Sequence, residues 1–442
     1  MRERAGQRGA GAAGGVAGGA PGGAAGPASQ RGMRRQNLAL VLGTVSAADA
    51  DAPLSRADVA GRTGLTRAAV SSLVDELIAD GLLVEAESAP SGRVGRPGRA
   101  LAVSDRGPCG LGLEVGVTHL GACAVDLRGR ARVWRRVERG NAGRPAGEVL
   151  AELAALGREA EVEAAALGLS VAGRVLAVPG VVSRATAALA HAEARADLAG
   201  VPDSAAAPHA AVERAANLGW EAMDPADHWP WPDAVPEVEN EANLGALAEL
   251  WAGRPAGAVG DTFVHVSAAV GIGAALVVDG RLFRGARGFA GELGHLPVHP
   301  EGPPCACGAR GCLELYAGEA AVLREAALDP QGADPVTALA QRARAADPHT
   351  IDALTRAGRA IGLALTAAVD LVDPSALVLG GAYAELAEWL LPPMRAELAA
   401  RVRVRPWDAD GLRASALGRR GPLLGAGLLT VRRILTDPGA RG

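Results

Sequence analysis

Apolar side chains at Val70, Leu73, Val74, Leu77 and Ile78 recur at i, i+3, i+4, i+7 and i+8, which lays one buried stripe along a helix. Thr66 stands before the run as an N-cap, and Gly81 ends it. A shorter helix is predicted from Arg56 to about Thr63, capped by Ser55 with Asp58 and stopped by Gly64. Leu38, Leu40, Val41 and Val45 predict an earlier helix. Two helices joined by a short Gly-containing turn make a helix-turn-helix. LLVEAESAPSGRVGRPGRALAV follows, read as strand, basic turn, strand. This is a wing, with Arg93, Arg96 and Arg99 at its tip. Taking the stripe as the buried side of its helix, Ala68 and Ser72 point outward, with Arg67 and Ser71 at the edges near the N-terminus.

From Gly110 the period changes. GLGLEVGVTHLGACAVDLRGRARVWRRVE predicts two or three antiparallel strands turning at Arg128–Gly129–Arg130. A helix is expected over about Ala146–Glu159 and a strand over Ala164–Ser170. VPEVENEANLGALAELWAG reads as a strand entering a helix. DTFVHVSAAVGIGAALVVDGRLF reads as two strands joined at Gly271–Gly273, with a hairpin at Asp279–Gly280. A largely helical remainder holds one further strand, Ala376–Leu379, ending in Gly380–Gly381. The class is α/β with mixed sheets.

Composition refines this picture. Residues 1–32 are mostly Gly, Ala and Arg, and too poor in large apolar side chains to offset their ordering entropy, so a disordered tail is expected. The winged helix is placed at 33–104 and a second unit at 105–442. Residues 1–104 carry 12 Arg against nine acidic side chains, the remainder 33 against 40, and the chain has no Lys. A basic front on an acidic body is compatible with a nucleic-acid partner. An Arg-rich, Pro-containing wing tip suits a narrow minor groove. Membrane association is not expected, because no run of eighteen apolar residues occurs.

The densest chemistry lies in GELGHLPVHPEGPPCACGARGCLELYAG. Cys305, Cys307 and Cys312 fall within eight residues, the first of them ten residues after His295, and thiolate with imidazole is the ligand set that closes a tetrahedral structural Zn²⁺ site. Gly308 and Gly311 let the backbone turn tightly enough to aim the sulfurs at one centre. Nothing at the N-terminus resembles a signal peptide, so a cytoplasmic chain with reduced thiols is expected rather than a disulfide. Cys109 and Cys123 read as core residues.

GIGAALVVDGRLFRGARGFAGELGH, followed by CACGARGCLE, resembles the ROK family of sugar kinases and sugar-responsive transcription factors on a two-lobed actin-like fold. The resemblance implies that Glu292, His295 and Glu314 face a sugar, with zinc holding the loop that carries them. It also gives patterns against which this chain departs. The family's DxGxT phosphate turn appears as Glu114–Val115–Gly116–Val117–Thr118, with a branched Val where a Gly lets phosphate approach. The GTGIGxG turn reads Ala269–Val270–Gly271–Ile272–Gly273–Ala274–Ala275. The kinases' NDAN, whose Asp takes the sugar proton, is Asn240–Glu241–Ala242–Asn243. One extra methylene displaces that carboxylate, and phosphoryl transfer depends on positioning. Residues 184–216, between VPGVVS and NLGW, read as an inserted surface segment.

The expected function is therefore that of a sugar-responsive DNA-binding regulator without kinase turnover. A sugar would be held by Asn240, Glu241, Glu292, His295 and Glu314, and a palindromic operator bound by a homodimer or homotetramer. The alternatives are an active ATP-dependent kinase that has kept a DNA-binding head, and a scaffold for a transport or signalling protein.

Overall fold

The computed structural model describes residues 30–48, 52–86, 99–183, 210–252, 259–268, 270–329 and 334–439. The first unit contains α1 (Gln30–Ser46), β1 (Leu54–Ser55), α2 (Arg56–Thr63), α3 (Arg67–Ala79), β2 (Leu83–Ala86) and β3 (Ala100–Val103). Ser55 and Asp58 form a reciprocal capping box, and Gly64 closes α2 at φ 72°. Thr66 Oγ1 accepts from the Ala69 N–H at 3.2 Å and starts α3. Val70, Leu73, Val74 and Leu77 are buried as the stripe requires. Leu40 is instead 46% exposed, because it lies off the Leu38–Val41–Leu42–Val45 face of α1. β1, β3 and β2 form the antiparallel sheet of a winged helix. Arg93 and Arg96 lie outside the described residues, as do residues 1–29.

The next lobe contains β4 (Gly107–Val115), β5 (His119–Val125), β6 (Ala131–Glu138), α4 (Ala146–Ala166), β7 (Leu169–Val178), β8 (Val181–Ser183), β9 (Ala211–Ala215), β10 (Trp220–Met223) and β11 (Glu237–Asn240). Its sheet runs β11-β7-β4-β5-β6. α4 is longer than its sequence suggested and takes up the residues expected to begin a strand. Ala160 and Ala164 continue its buried side, and Gly168 at φ 78° ends it, so β7 starts only at Leu169. Part of the expected insertion is ordered. β9 pairs with both β8 and β10, whereas residues 184–209 lie outside the described residues.

α5 (Glu241–Ala252) leads to the other lobe: β12 (Phe263–Ala268), β13 (Ile272–Val278), β14 (Arg281–Phe283), α6 (Glu314–Ala317), α7 (Glu319–Glu325), α8 (Pro335–Arg344), α9 (Pro348–Val372), β15 (Ala376–Gly381), α10 (Ala387–Arg401), β16 (Leu412–Ala414) and α11 (Gly421–Thr436). Its sheet runs β14-β13-β12-β15-β16. Asp279 and Gly280, at φ 50° and 71°, make the predicted hairpin. Cys109 and Cys123 are fully buried, as expected.

α11 ties the units together. A Cβ on Gly110 would stand 2.1 Å from the Gly427 carbonyl oxygen, and one on Gly425 2.0 Å from that of Leu244. Glycine therefore allows α11 to pack backbone to backbone against both β4 and α5. Leu428, Val431, Ile434 and Leu435 of α11 share one core with Leu38, Val41, Leu42 and Val45 of α1. Arg35 and Asp437 add an ion pair across this junction. Among the described residues no helix is long and apolar enough to cross a membrane.

Candidate functional site

His295, Cys305, Cys307 and Cys312 bring their ligand atoms within 4.8 Å of one another. His295 Nδ1 is 3.9 Å from Cys305 Sγ, and the sulfurs of Cys307 and Cys312 are 3.7 Å apart. Atoms bound to one tetrahedral Zn²⁺ at about 2.0–2.3 Å stand roughly 3.3–3.8 Å apart, so these two separations lie at or just beyond the upper end of that range and the cluster is a candidate metal site. The loop is shaped for it. The Cys305 and Gly308 N–H groups close a tight turn onto Ala309 and Cys305 carbonyls. Gly308 sits at φ 93° and Gly311 at 64°, and a Cβ on Gly311 would meet the His299 carbonyl oxygen at 1.6 Å. The Ala309 backbone N–H holds the Cys307 thiol below its usual range.

The cluster stands beside a cleft of about 660 Å³ between the lobes. Asn240, Glu241, Glu292, His295 and Glu314 all line it. Glu292 is three residues before one metal-ligand candidate, and Glu314 two residues after another. Gly294 lets the Glu292–His295 segment lie against β13, where a Cβ would meet the Ile272 carbonyl oxygen at 2.1 Å. Glu314 Oε2 accepts from the Ile272 N–H at 3.3 Å. Burial, followed by the neighbouring Glu314, raises the Glu292 pKa, while His295 opposes the rise. Asn240 is largely committed to structure. Its Oδ1 accepts from the N–H groups of Ala242 (2.8 Å) and Asn243 (3.1 Å), and its Nδ2 donates to the Gly180 carbonyl at 2.7 Å. This caps α5 and leaves one amide proton for a ligand.

Residues 110–433 match the ROK family, and residues 37–94 match the MarR family. The chain belongs to the ROK family. The xylose repressor of Bacillus subtilis is 27% identical over 393 residues, covering 87% of this chain and 93% of the relative. A Thermotoga maritima glucokinase is 32% identical over 212 residues, covering 45% of this chain and 66% of the relative. A solved ROK family transcriptional regulator, described as a homolog of the E. coli MLC protein, covers 90% of this chain and 99% of its own at 22% identity, with a TM-score of 0.65. A Streptomyces griseus ROK family glucokinase, solved with glucose and AMPPNP, covers 73% and 98% at 25% identity and a TM-score of 0.57. The winged helix followed by an actin-like two-lobed α/β body is thus the fold of a ROK regulator.

The cleft of this ROK chain is lined by Asn240, Glu292, His295 and Glu314, which match the family pattern, while its Glu114–Thr118 turn departs from it. Glu241 retains a carboxylate at the base position, and burial, then Glu114, push it up to about 7. A carboxyl poised there is chemically able to accept a proton. The phosphate turn is what has changed. Glu114 is buried and Val117 lines the cleft where the kinase pattern has Gly. Ala269 lies outside the described residues, while Val270 lines the cleft. Gly380–Gly381 has a structural cause. A Cβ on Gly380 would lie 2.3 Å from the buried His265 ring, and Gly381 adopts φ 62°. The sequence pointed to Glu114 only as part of a phosphate turn and not to His119, whose ring reaches 3.4 Å from Glu114 in this cleft. The only signal for them was their place in a degenerate phosphate turn.

In the head, Arg67, Ala68 and Ser72 are exposed at the N-terminal end of α3, and Ser71 is half-buried. The Ser71 carbonyl accepts from Arg56 at 3.3 Å. Arg56 also pairs with Glu85 at 2.9 Å, and Glu85 pairs with Arg99 at 2.8 Å. This chain of ion pairs joins α2, α3 and the base of the wing.

Proposed function

We propose that this chain is a transcriptional repressor that binds operator DNA through its winged head and releases it when a sugar enters the cleft. The observation that carries the reading is an asymmetry within one cleft. Three carboxylates and a histidine line the cleft at the positions the family pattern gives to sugar, whereas the turn that would cradle phosphate presents a branched Val117 to the cleft and a buried Glu114 behind it. Carboxylates accept hydrogen bonds from paired sugar hydroxyls, and a triphosphate beside them meets like charge.

Sugar is held between the lobes by Glu241, Glu292, His295 and Glu314, with the remaining Asn240 proton. Zinc, held by His295, Cys305, Cys307 and Cys312, supplies a fixed centre for the loop. That centre sets the positions of Glu292 and Glu314 through the short segments joining them to His295 and Cys312. Closure of the lobes moves Pro422, which lines the cleft at the start of α11. The far end of α11 is part of the core of the head. A change in lobe angle therefore changes the placement of the two heads of a dimer or tetramer on a palindromic site. Ligand binding has to differ between the two arrangements for the response to occur.

The match to a xylose repressor over 87% of this chain supports this reading. The glucokinase likeness, over 45% of this chain, keeps an active kinase as the second reading. Incubation with D-glucose, D-xylose or N-acetyl-D-glucosamine and Mg-ATP separates them. The repressor reading expects one of these sugars to raise the melting temperature and none to be phosphorylated. Protein-dependent sugar phosphate overturns it.

A further inference from the structure

The β4–β5 turn carries an imidazole that neither the metal cluster nor the expected sugar set uses. The His119 carbonyl accepts from the Gly116 N–H at 2.9 Å and from Asn141 Nδ2 at 3.0 Å, which closes the turn. The ring then folds back over it. A Cβ on Gly116 would lie 2.1 Å from His119 Cε1, so only glycine admits the ring here. His119 Nε2 is buried and has no hydrogen-bond partner among the described residues. Glu114 Oε1 is 3.4 Å away, outside hydrogen-bonding geometry. The ring lines the same cleft as Glu241, on the lobe facing Glu292 and Glu314.

A neutral imidazole offers one donor and one acceptor, as a hydroxyl does. A buried polar atom without a partner is costly, and since Nε2 has no exposed surface while the ring itself lines the cleft, a ligand hydroxyl admitted by a small turn of the ring would supply one. A phosphate would not fit the same surroundings. Glu114 and Glu241 put two carboxylates at this end, and the nearby Arg136 is already paired with Glu138 at 2.8 Å.

We propose that His119 is a specificity-determining ligand contact: it hydrogen-bonds a hydroxyl at the end of the sugar nearest Glu241 and keeps a phosphate out of that place. The inference rests on the cleft being a sugar site. In the kinase pattern this turn cradles phosphate, and here His119 turns it into a reader of hydroxyls.

The test uses the full chain and calorimetry with D-glucose, D-xylose, N-acetyl-D-glucosamine and D-glucose 6-phosphate. His119→Ala and His119→Phe are expected to bind the sugar that wild type prefers about tenfold more weakly, the loss of one well-placed hydrogen bond. His119→Gln, which restores a donor and an acceptor, is expected to recover most of it. The Phe variant keeps the ring's volume, so a folding defect in the Ala variant leaves the outcome readable. Wild type is expected not to bind glucose 6-phosphate. Sugar affinity within twofold of wild type in the Phe variant overturns the proposal, and so does tight glucose 6-phosphate binding by wild type. If Glu292→Ala abolishes binding while His119→Phe does not, the sugar site stands and His119 is not part of it. A wild type that binds none of the three sugars overturns both readings.

Discussion

His295 Nε2 stands 4.0 Å from a carboxylate oxygen of Glu292, while Nδ1 of the same ring faces Cys305 at 3.9 Å. One imidazole thus connects the candidate metal-ligand cluster to the wall of the cleft proposed to hold sugar. A ring held at Nδ1 has its tautomer and orientation fixed, and Nε2 is left as the group that meets Glu292 and the ligand.

Cys307→Ser tests that link. Wild type is expected to carry about one zinc per chain. The variant is expected to lose metal, melt at lower temperature and bind sugar more weakly, because binding energy at such a site is also folding energy. Metal analysis, a thermal melt and a sugar titration on the same preparation check it. Full sugar affinity in metal-free protein contradicts it.

The pH dependence follows from Glu241. Burial, then Glu114, raise its carboxyl to about 7, whereas an unfolded Glu titrates near 4.3. The folded chain therefore binds more protons between about pH 4.5 and 7, and stability falls as pH rises through that window. Glu241→Gln keeps the shape and removes the charge. It is expected to match wild type near pH 4.5 and to exceed it at pH 8 by on the order of 1–3 kcal/mol. A difference equal at the two pH values contradicts the assignment.

Arg67 and Arg99 are expected to act differently on DNA. Arg67 lies at the start of α3, where side chains reach base edges. Arg67→Ala is expected to cost roughly 1–3 kcal/mol and relax choice at one base pair. Arg99, fixed by Glu85 at the base of the wing, is expected to contact phosphate. Arg99→Ala should weaken all sites alike and lower the slope of log K against log salt by about one. Operator titrations at several salt concentrations distinguish the two behaviours.

Ile434 does not line the cleft and packs in the core shared by α11 and α1. Ile434→Ala is expected to cost about 2–4 kcal/mol of stability. It should leave sugar and operator affinities each near wild type while reducing the factor by which one alters the other. An unchanged coupling factor, measured by operator titration with and without sugar, removes α11 from the transmission path.

Much of this was legible in the sequence because the signals were local. Ser55, Gly64 and Thr66 state the ends of α2 and α3, and the spacing of Cys305, Cys307 and Cys312 states a cluster. The Asp279–Gly280 turn was equally plain. What was hidden depends on distant contacts. Ala-rich helix ends carry no stop signal before Gly168, so α4 was read seven residues short. β16 is too short to show a period. The fusion of head and body depends on Leu428, Val431, Ile434 and Leu435 of α11 meeting Leu38, Val41, Leu42 and Val45 of α1, and the seating of α11 on β4 depends on Gly110 and Gly427 meeting backbone to backbone, which no local pattern announces. The commitment of Asn240 to capping α5 was likewise invisible, because a family pattern names a position without saying how many of its hydrogen bonds are already made.

Operator binding measured by fluorescence anisotropy, using a site selected from random-sequence DNA, is the most direct test of a sugar-released repressor. Affinity is measured for wild type and Glu292→Ala, with and without the sugar that raises the wild-type melting temperature. Sugar is expected to weaken wild-type binding at least tenfold without added nucleotide, and to leave the equally tight binding of Glu292→Ala unchanged. Operator affinity indifferent to sugar in the wild type, or altered only when Mg-ATP is also present, contradicts it.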